Sequence, residues 1–138
     1  MERHIIVKRP AMKLRIKGNS LRFRVTPSDV KRLLRYGAIQ EHIQFTAIPN
    51  DRLTYEVISS SSETAITVAY RLGNITVSVP EDQLKKWAAS DDVGVYSDVA
   101  LNDDQALSIA IEKDFACLDL SDAENEDTFP NPNLAATC

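Results

Sequence analysis

Residues 12–37, MKLRIKGNSLRFRVTPSDVKRLLRYG, read as a strand, a tight turn, a second strand and a capped helix. Leu14 and Ile16 share one side of the first strand, and Leu21, Phe23 and Val25 share one side of the second. Gly18-Asn19 is a two-residue hairpin loop, and glycine at its first central position suits a type II′ turn. That loop sets Lys17 opposite Ser20, Ile16 opposite Leu21, Arg15 opposite Arg22, Leu14 opposite Phe23 and Lys13 opposite Arg24. The apolar residues then occupy one face, and Lys13, Arg15, Lys17, Arg22 and Arg24 the other. Like charges directly across a ladder destabilise by roughly 0.2–1 kcal/mol per pair. Solvent and salt, nearby carboxylates or a bound anion must offset that cost. Thr26 caps the helix, Pro27 opens it, and Asp29 completes a capping box. Val30, Leu33 and Leu34 give its apolar stripe, and Gly37 follows its end.

Working outward, Ile39, Ile43, Phe45 and Ala47 alternate along a strand that stops at Pro49-Asn50-Asp51. Leu53, Tyr55 and Val57 form the return strand of this second hairpin. Residues 65–87, AITVAYRLGNITVSVPEDQLKKW, repeat the opening pattern. Taking Gly73-Asn74 as the loop sets Leu72 opposite Ile75, Tyr70 opposite Val77 and Val68 opposite Val79. Pro80 begins a second helix with Leu84, Trp87 and Ala88 on its buried stripe, and Trp87 and Tyr70 are assigned to the core. Short strands follow at residues 93–96 and at Leu107, Ile109 and Ile111, with a further one at 115–118. The order strand-strand-helix-strand-strand thus occurs twice, over residues 12–60 and 64–118, as a pseudo-repeat. The fold class is α+β, a mostly antiparallel sheet curled into a sandwich or partial barrel, with two short helices.

The chain has 138 residues, 43% of them hydrophobic, enough for one domain with a substantial core. Its net charge is −4, but residues 1–35 hold eleven Lys/Arg against Glu2 and Asp29. Residues 36–138 hold five Lys/Arg against eighteen Asp/Glu. With a pI near 5.1 this favours a self-neutralising fold and disfavours nucleic acid as a partner. Cys117 and Cys138 have neither C-x-x-C spacing nor a disulfide framework, and no apolar run is long enough for a membrane span. A cytoplasmic location is the expectation. Residues 1–11 read as an extension or an extra edge strand, and residues 12–118 as a single α+β domain. Residues 119–138 read as an acidic tail containing Pro and Asn, with five carboxylates between Asp119 and Asp127. Phe129 is placed to anchor that tail.

Four separated motifs, IKGNSLRFR, VSVP, IEKDFACL and FPNPN, resemble a family of small uncharacterised bacterial proteins, a domain of unknown function. The resemblance covers residues 12–132. It implies a single cytoplasmic domain beginning at Met12, and it implies no activity. Residues 1–11 lie outside that pattern, and the stretch at 118–126 is shorter than is usual for it.

Lys13, Arg15, Lys17, Arg22 and Arg24 form the candidate binding face, since guanidinium forks match phosphate and carboxylate oxygens. The rival readings are a solvated face and pairing with the chain's own carboxylates. His4 and His42 lack metal-ligand spacing, and the acidic tail lacks the glycine of a calcium loop. Cys117, among Phe115, Ala116 and Leu118, reads as an inert buried thiol. Gly18, Gly37, Gly73 and Gly94 compose no phosphate loop or dinucleotide fingerprint, so no cofactor is indicated. The leading expectation is a non-enzymatic binding module whose basic hairpin meets its own acidic tail, an acidic protein partner or a small phosphorylated ligand. The alternative is a metal-dependent enzyme acting on a phosphorylated substrate within a curled sheet, with Glu112 as its inward carboxylate.

Overall fold

A computed structural model describes residues 11–116 and 127–130. Among them the opening hairpin is β1 (Lys13–Ile16) and β2 (Ser20–Val25), followed by α1 (Pro27–Tyr36). Next come β3 (Ala38–Gln44), β4 (Arg52–Ser60), β5 (Thr67–Arg71) and β6 (Asn74–Pro80). The chain continues through α2 (Glu81–Ala88), β7 (Gly94–Ala100) and β8 (Ala106–Lys113). The fold is α+β, with two four-stranded sheets and no closed barrel.

The first sheet has the order β1-β2-β8-β7 and the second β3-β4-β6-β5. Each is two antiparallel hairpins joined through a parallel central pair, β2 with β8 and β4 with β6. Matching β1-β2-α1-β3-β4 onto β5-β6-α2-β7-β8 carries one sheet order onto the other, including the parallel pair. The pseudo-repeat is therefore a property of the topology, and each half contributes one hairpin to each sheet. Both helices cross between the sheets at the end where β2 and β6 leave, and all four hairpin turns lie at the opposite end.

The opening hairpin pairs as its turn requires, from Lys13 with Arg24 to Ile16 with Leu21. Gly18 has φ +55°, and the Lys17 N–H donates to the Ser20 carbonyl at 3.3 Å. The second Gly-Asn hairpin differs from its expected register. Val68 faces Val77, Tyr70 faces Ile75 and Arg71 faces Asn74, so the loop is Leu72-Gly73. Both loop residues have positive φ, +49° and +80°, the signature of a type I′ turn. The neighbouring strand dictates this choice. The Thr54 N–H donates to the Gly73 carbonyl at 2.8 Å, and a Cβ on residue 73 would come within 2.8 Å of the Arg52 carbonyl oxygen. Glycine must stand at that close approach. Tyr70, expected in the core, is 70% exposed because the second sheet runs past the core at its hairpin end. Ile16 and Leu34, also expected on buried faces, are exposed, Ile16 beside its turn and Leu34 at the margin of its helix.

One apolar cluster joins the sheets, with Phe23, Val25, Val57, Val77, Val79, Leu84 and Ile111 fully buried. The Phe23 and Tyr55 rings meet across the gap at 6.4 Å, and the Tyr55 hydroxyl donates to the Met12 carbonyl at 3.3 Å. α1 is capped as expected. Thr26 Oγ1 accepts from the Asp29 N–H at 3.1 Å, Asp29 Oδ2 accepts from the Thr26 N–H at 3.0 Å, and Gly37 ends the helix.

Phe129 ties residues 127–130 to the body of the domain. Its N–H donates to the Asp114 carbonyl at 2.8 Å, its carbonyl accepts from the Ala116 N–H at 2.7 Å, and its ring meets Phe115 edge-on. Asp127 reaches the start of α1, where its Oδ1 accepts from the Ser28 N–H at 3.3 Å. Residues 1–10, Cys117, Cys138 and the remaining acidic residues of the tail lie outside the described residues. So do the readings that rest on them: the extension or edge strand, the inert thiol, the end of the 115–118 strand, and the tail's packing on the basic face.

Candidate anion-binding face

Strand alternation puts Leu21, Phe23 and Val25 inward, so Ser20, Arg22 and Arg24 face outward on β2. The same rule turns Ser108, Ala110 and Glu112 of β8 outward, with Tyr96 and Asp98 of β7. The registers arrange these side chains in rows across the first sheet. One row runs Lys17, Ser20, Ser108, Asp98; the next Arg15, Arg22, Ala110, Tyr96; the third Lys13, Arg24, Glu112, Gly94. All five expected cations thus share one outer surface, cationic along β1 and anionic at Asp98 on β7.

Charge compensation divides the five. Near the helix end, Lys13 Nζ lies 3.1 Å from Asp114, which is buried beneath it. Arg22 Nε lies 3.1 Å from Glu112, and Arg24 stands directly across the ladder from the same carboxylate. Self-pairing therefore occurs, through β8 and the residue after it. Among the described residues no carboxylate bridges Arg24, nor Arg15 and Lys17, which lie towards the hairpin end. Together with Ser20 and Arg22, Arg15 and Lys17 line a recess of about 120 Å³. This recess adjoins a shallow groove of about 430 Å³, which shares Ser20 and Arg22 and extends over Ser108 and Ala110 to Tyr96 and Asp98.

The groove's geometry is held by residues whose role the alternation alone does not reveal. Tyr96 donates to Glu112 Oε2 at 2.7 Å, so one carboxylate fixes both Arg22 and Tyr96. Gly94 makes room for this contact. A Cβ there would come within 2.6 Å of the Ile111 carbonyl oxygen and within 2.9 Å of Glu112 Cγ. Ser108 Oγ donates to Asp98 Oδ1 at 2.8 Å. Glu112, expected as an inward carboxylate, faces outward, because Ile109 and Ile111 take the inward positions of β8. The same alternation brings Lys113 inward. It is buried between the Trp87 and Phe129 rings, and its Nζ donates to the Ser90 carbonyl at 2.6 Å. No three of His, Cys, Asp or Glu among the described residues gather as a metal site.

Partial burial, then the hydrogen bond to Glu112 and the charge of that carboxylate, push the Tyr96 hydroxyl up to about 12. The protonated phenol is the form favoured by the fold. Its contribution to stability is present below the unfolded value near 10 and is lost as pH rises through about 12. Urea midpoints of the wild type and Tyr96→Phe should therefore differ by a constant amount up to about pH 10 and converge above it. A difference unchanged through pH 12 would contradict the Tyr96–Glu112 bond.

A family profile described as a family of unknown function, DUF7009, matches residues 12–133. The chain belongs to that family. The match begins at the opening hairpin and extends past the Phe129 anchor, so both ends of the folded unit described above fall within the DUF7009 pattern. Comparison with curated proteins and with solved structures finds no match. No helix among the described residues is long and apolar enough to cross a membrane.

Proposed function

We propose that this DUF7009 chain is a non-enzymatic binding module that takes a small phosphate-bearing anion at Arg15, Lys17 and Arg22. The observation that carries this reading is the split in charge compensation. Internal carboxylates bridge Lys13 and Arg22; among the described residues none bridges Arg15, Lys17 or Arg24, and of these Arg15 and Lys17 line the recess. An oxyanion there would relieve the Arg15–Arg22 repulsion across the ladder and accept from both guanidinium groups, while the Ser20 hydroxyl, which donates to the Lys17 carbonyl at 2.5 Å, steadies the turn beside it. A phosphate-processing enzyme within a curled sheet is less well supported, because these cations lie outside the sheet and the space between the sheets is filled by apolar side chains. An acidic protein segment is the rival occupant of the same cations, and the small recess favours the smaller ligand.

The test is a titration of inorganic phosphate into the full chain at low salt, read as a rise in Tm. A ligand that binds only the native state must raise it. The Arg15→Ala/Lys17→Ala variant should weaken phosphate binding about tenfold or more, and added salt should weaken it in the wild type. A flat Tm for the wild type up to tens of millimolar phosphate would overturn the reading.

A further inference from the structure

We infer that the ligand of this face is a phosphorylated sugar, its phosphate held at Arg15 and Lys17 and its hydroxyls held by Asp98. The inference rests on the anion reading above and extends it to the rest of the ligand. The row Lys17, Ser20, Ser108, Asp98 crosses all four strands, with a cation at one edge, a carboxylate at the other and two hydroxyls between. Adjacent strands stand about 4.8 Å apart, so the backbone positions at the two ends of this row are roughly 14 Å apart. A bare phosphate at the β1 edge leaves the groove over Ser108 and Ala110 empty. At about 430 Å³, that groove is within the range of small-molecule sites.

The chemistry of the far end selects what fills it. Asp98 is exposed and lines the groove, and with the Ser108 hydroxyl on Oδ1 its second oxygen keeps acceptor capacity. A carboxylate at that distance from a phosphate site repels a second anion and favours a group rich in donors. Paired sugar hydroxyls fit this role, as they do when an acidic side chain binds a ribose in dinucleotide-binding folds. The Ser20 and Ser108 hydroxyls, whose protons go to the Lys17 carbonyl and to Asp98, can accept from sugar hydroxyls along the way. The wall beside Asp98 is Tyr96, 56% exposed and steadied by Glu112, which offers its ring to a sugar or to an attached base. The floor is Ala110, whose small side chain creates the depression between Arg22 and Tyr96.

Calorimetric titrations of the full chain with inorganic phosphate, ribose phosphate and adenosine monophosphate test this. Ribose phosphate should bind at least about tenfold tighter than inorganic phosphate. In Asp98→Ala, shown folded by circular dichroism, the two should bind alike. Adenosine monophosphate binding tighter still would support the inference with the base lying on Tyr96. Equal binding of ribose phosphate and adenosine monophosphate, both tighter than phosphate, would support it with a free sugar phosphate as ligand. If inorganic phosphate binds and ribose phosphate binds no tighter, the sugar inference is overturned while the anion reading stands. The same holds if Asp98→Ala keeps the full gain. If none of the three binds the wild type, both fall.

Discussion

Replacing Trp87 with alanine should lower the unfolding free energy by about 3–5 kcal/mol. The side chain is 2% exposed and is the largest buried group in the core. α2 needs it more than an ordinary helix would. The helix has only eight residues, and no side chain caps its start at Pro80. So short a helix is not stable alone in water and exists through the apolar face it buries, here Leu84 and Trp87. The indole also ties α2 to β8. Its Nε1 donates to the Val93 carbonyl at 3.2 Å, and the Lys113 N–H donates to the same carbonyl at 2.9 Å. Above the ring, Lys113 Nζ sits 5.8 Å from the centroid and bonds to Ser90 just past the end of α2, where the helix dipole favours a cation. Alanine removes the volume, the indole bond and one aromatic partner of a buried ammonium together. Trp87→Phe retains most of the volume and should cost about 1–2 kcal/mol less than alanine does. Urea unfolding followed by far-ultraviolet circular dichroism measures both, since Trp87 is the chain's single tryptophan and fluorescence would lose its reporter. A loss below about 1 kcal/mol for Trp87→Ala would mean that α2 is not held by this side chain.

The opening hairpin was readable because three local signals agree: alternation, a two-residue loop with glycine first, and charges segregated to one face. The second hairpin shows where such agreement ends. Its expected and observed registers differ by two residues along the partner strand, so every side chain keeps its face and alternation cannot separate them. Only the turn decides. A Gly-Asn pair is compatible with glycine in either central position, and the deciding neighbour, the Arg52 carbonyl, belongs to a strand twenty residues earlier. The cost is Leu72 in a left-handed conformation, of order 1–3 kcal/mol, which the contact with β4 must offset. The parallel pairings were equally hidden. Ser20 and Ser108 are neighbours in space, yet alternation in β2 and β8 says only which face is inward, not which strand lies alongside.

The same distinction applies to the site. All five cations were placed on one surface from the hairpin alone, because each is fixed by its own strand's alternation. Their partners could not be. Glu112 and Asp98 reach the basic face only through the parallel β2–β8 pair, and Gly94 matters only because it stands opposite Glu112. Lys113 carried a readable signal, since the alternation of Leu107, Ile109 and Ile111 continues to it and assigns it inward. What the sequence does not state is the pair of rings and the carbonyl that make a buried ammonium acceptable there.

Asp29→Ala is expected to cost about 2–4 kcal/mol, combining a lost helix cap with a buried donor left unpaired. Asp29 is 1% exposed, and its carboxylate accepts from the buried Thr26 N–H and from Arg32 one turn on. The first turn of α1 is closed by two carboxylates of different origin. Asp29 serves Thr26 from within the capping box, while Asp127, about a hundred residues away in sequence, serves Ser28. Both gain from the positive end of the helix, and each keeps the other's donors in place. The two losses should therefore fail to add: in the Asp29→Ala background, Asp127→Ala should cost less than it does alone, by at least about 0.5 kcal/mol. Asp29→Asn separates the contributions. It retains an acceptor for the Thr26 N–H but weakens the link to Arg32, and should cost about half as much as alanine. Denaturant midpoints of the four variants at neutral pH close the cycle. Strict additivity of Asp29→Ala and Asp127→Ala would show that the tail docks on α1 without sharing its cap, leaving Phe129 as the contact that holds residues 127–130 to the domain.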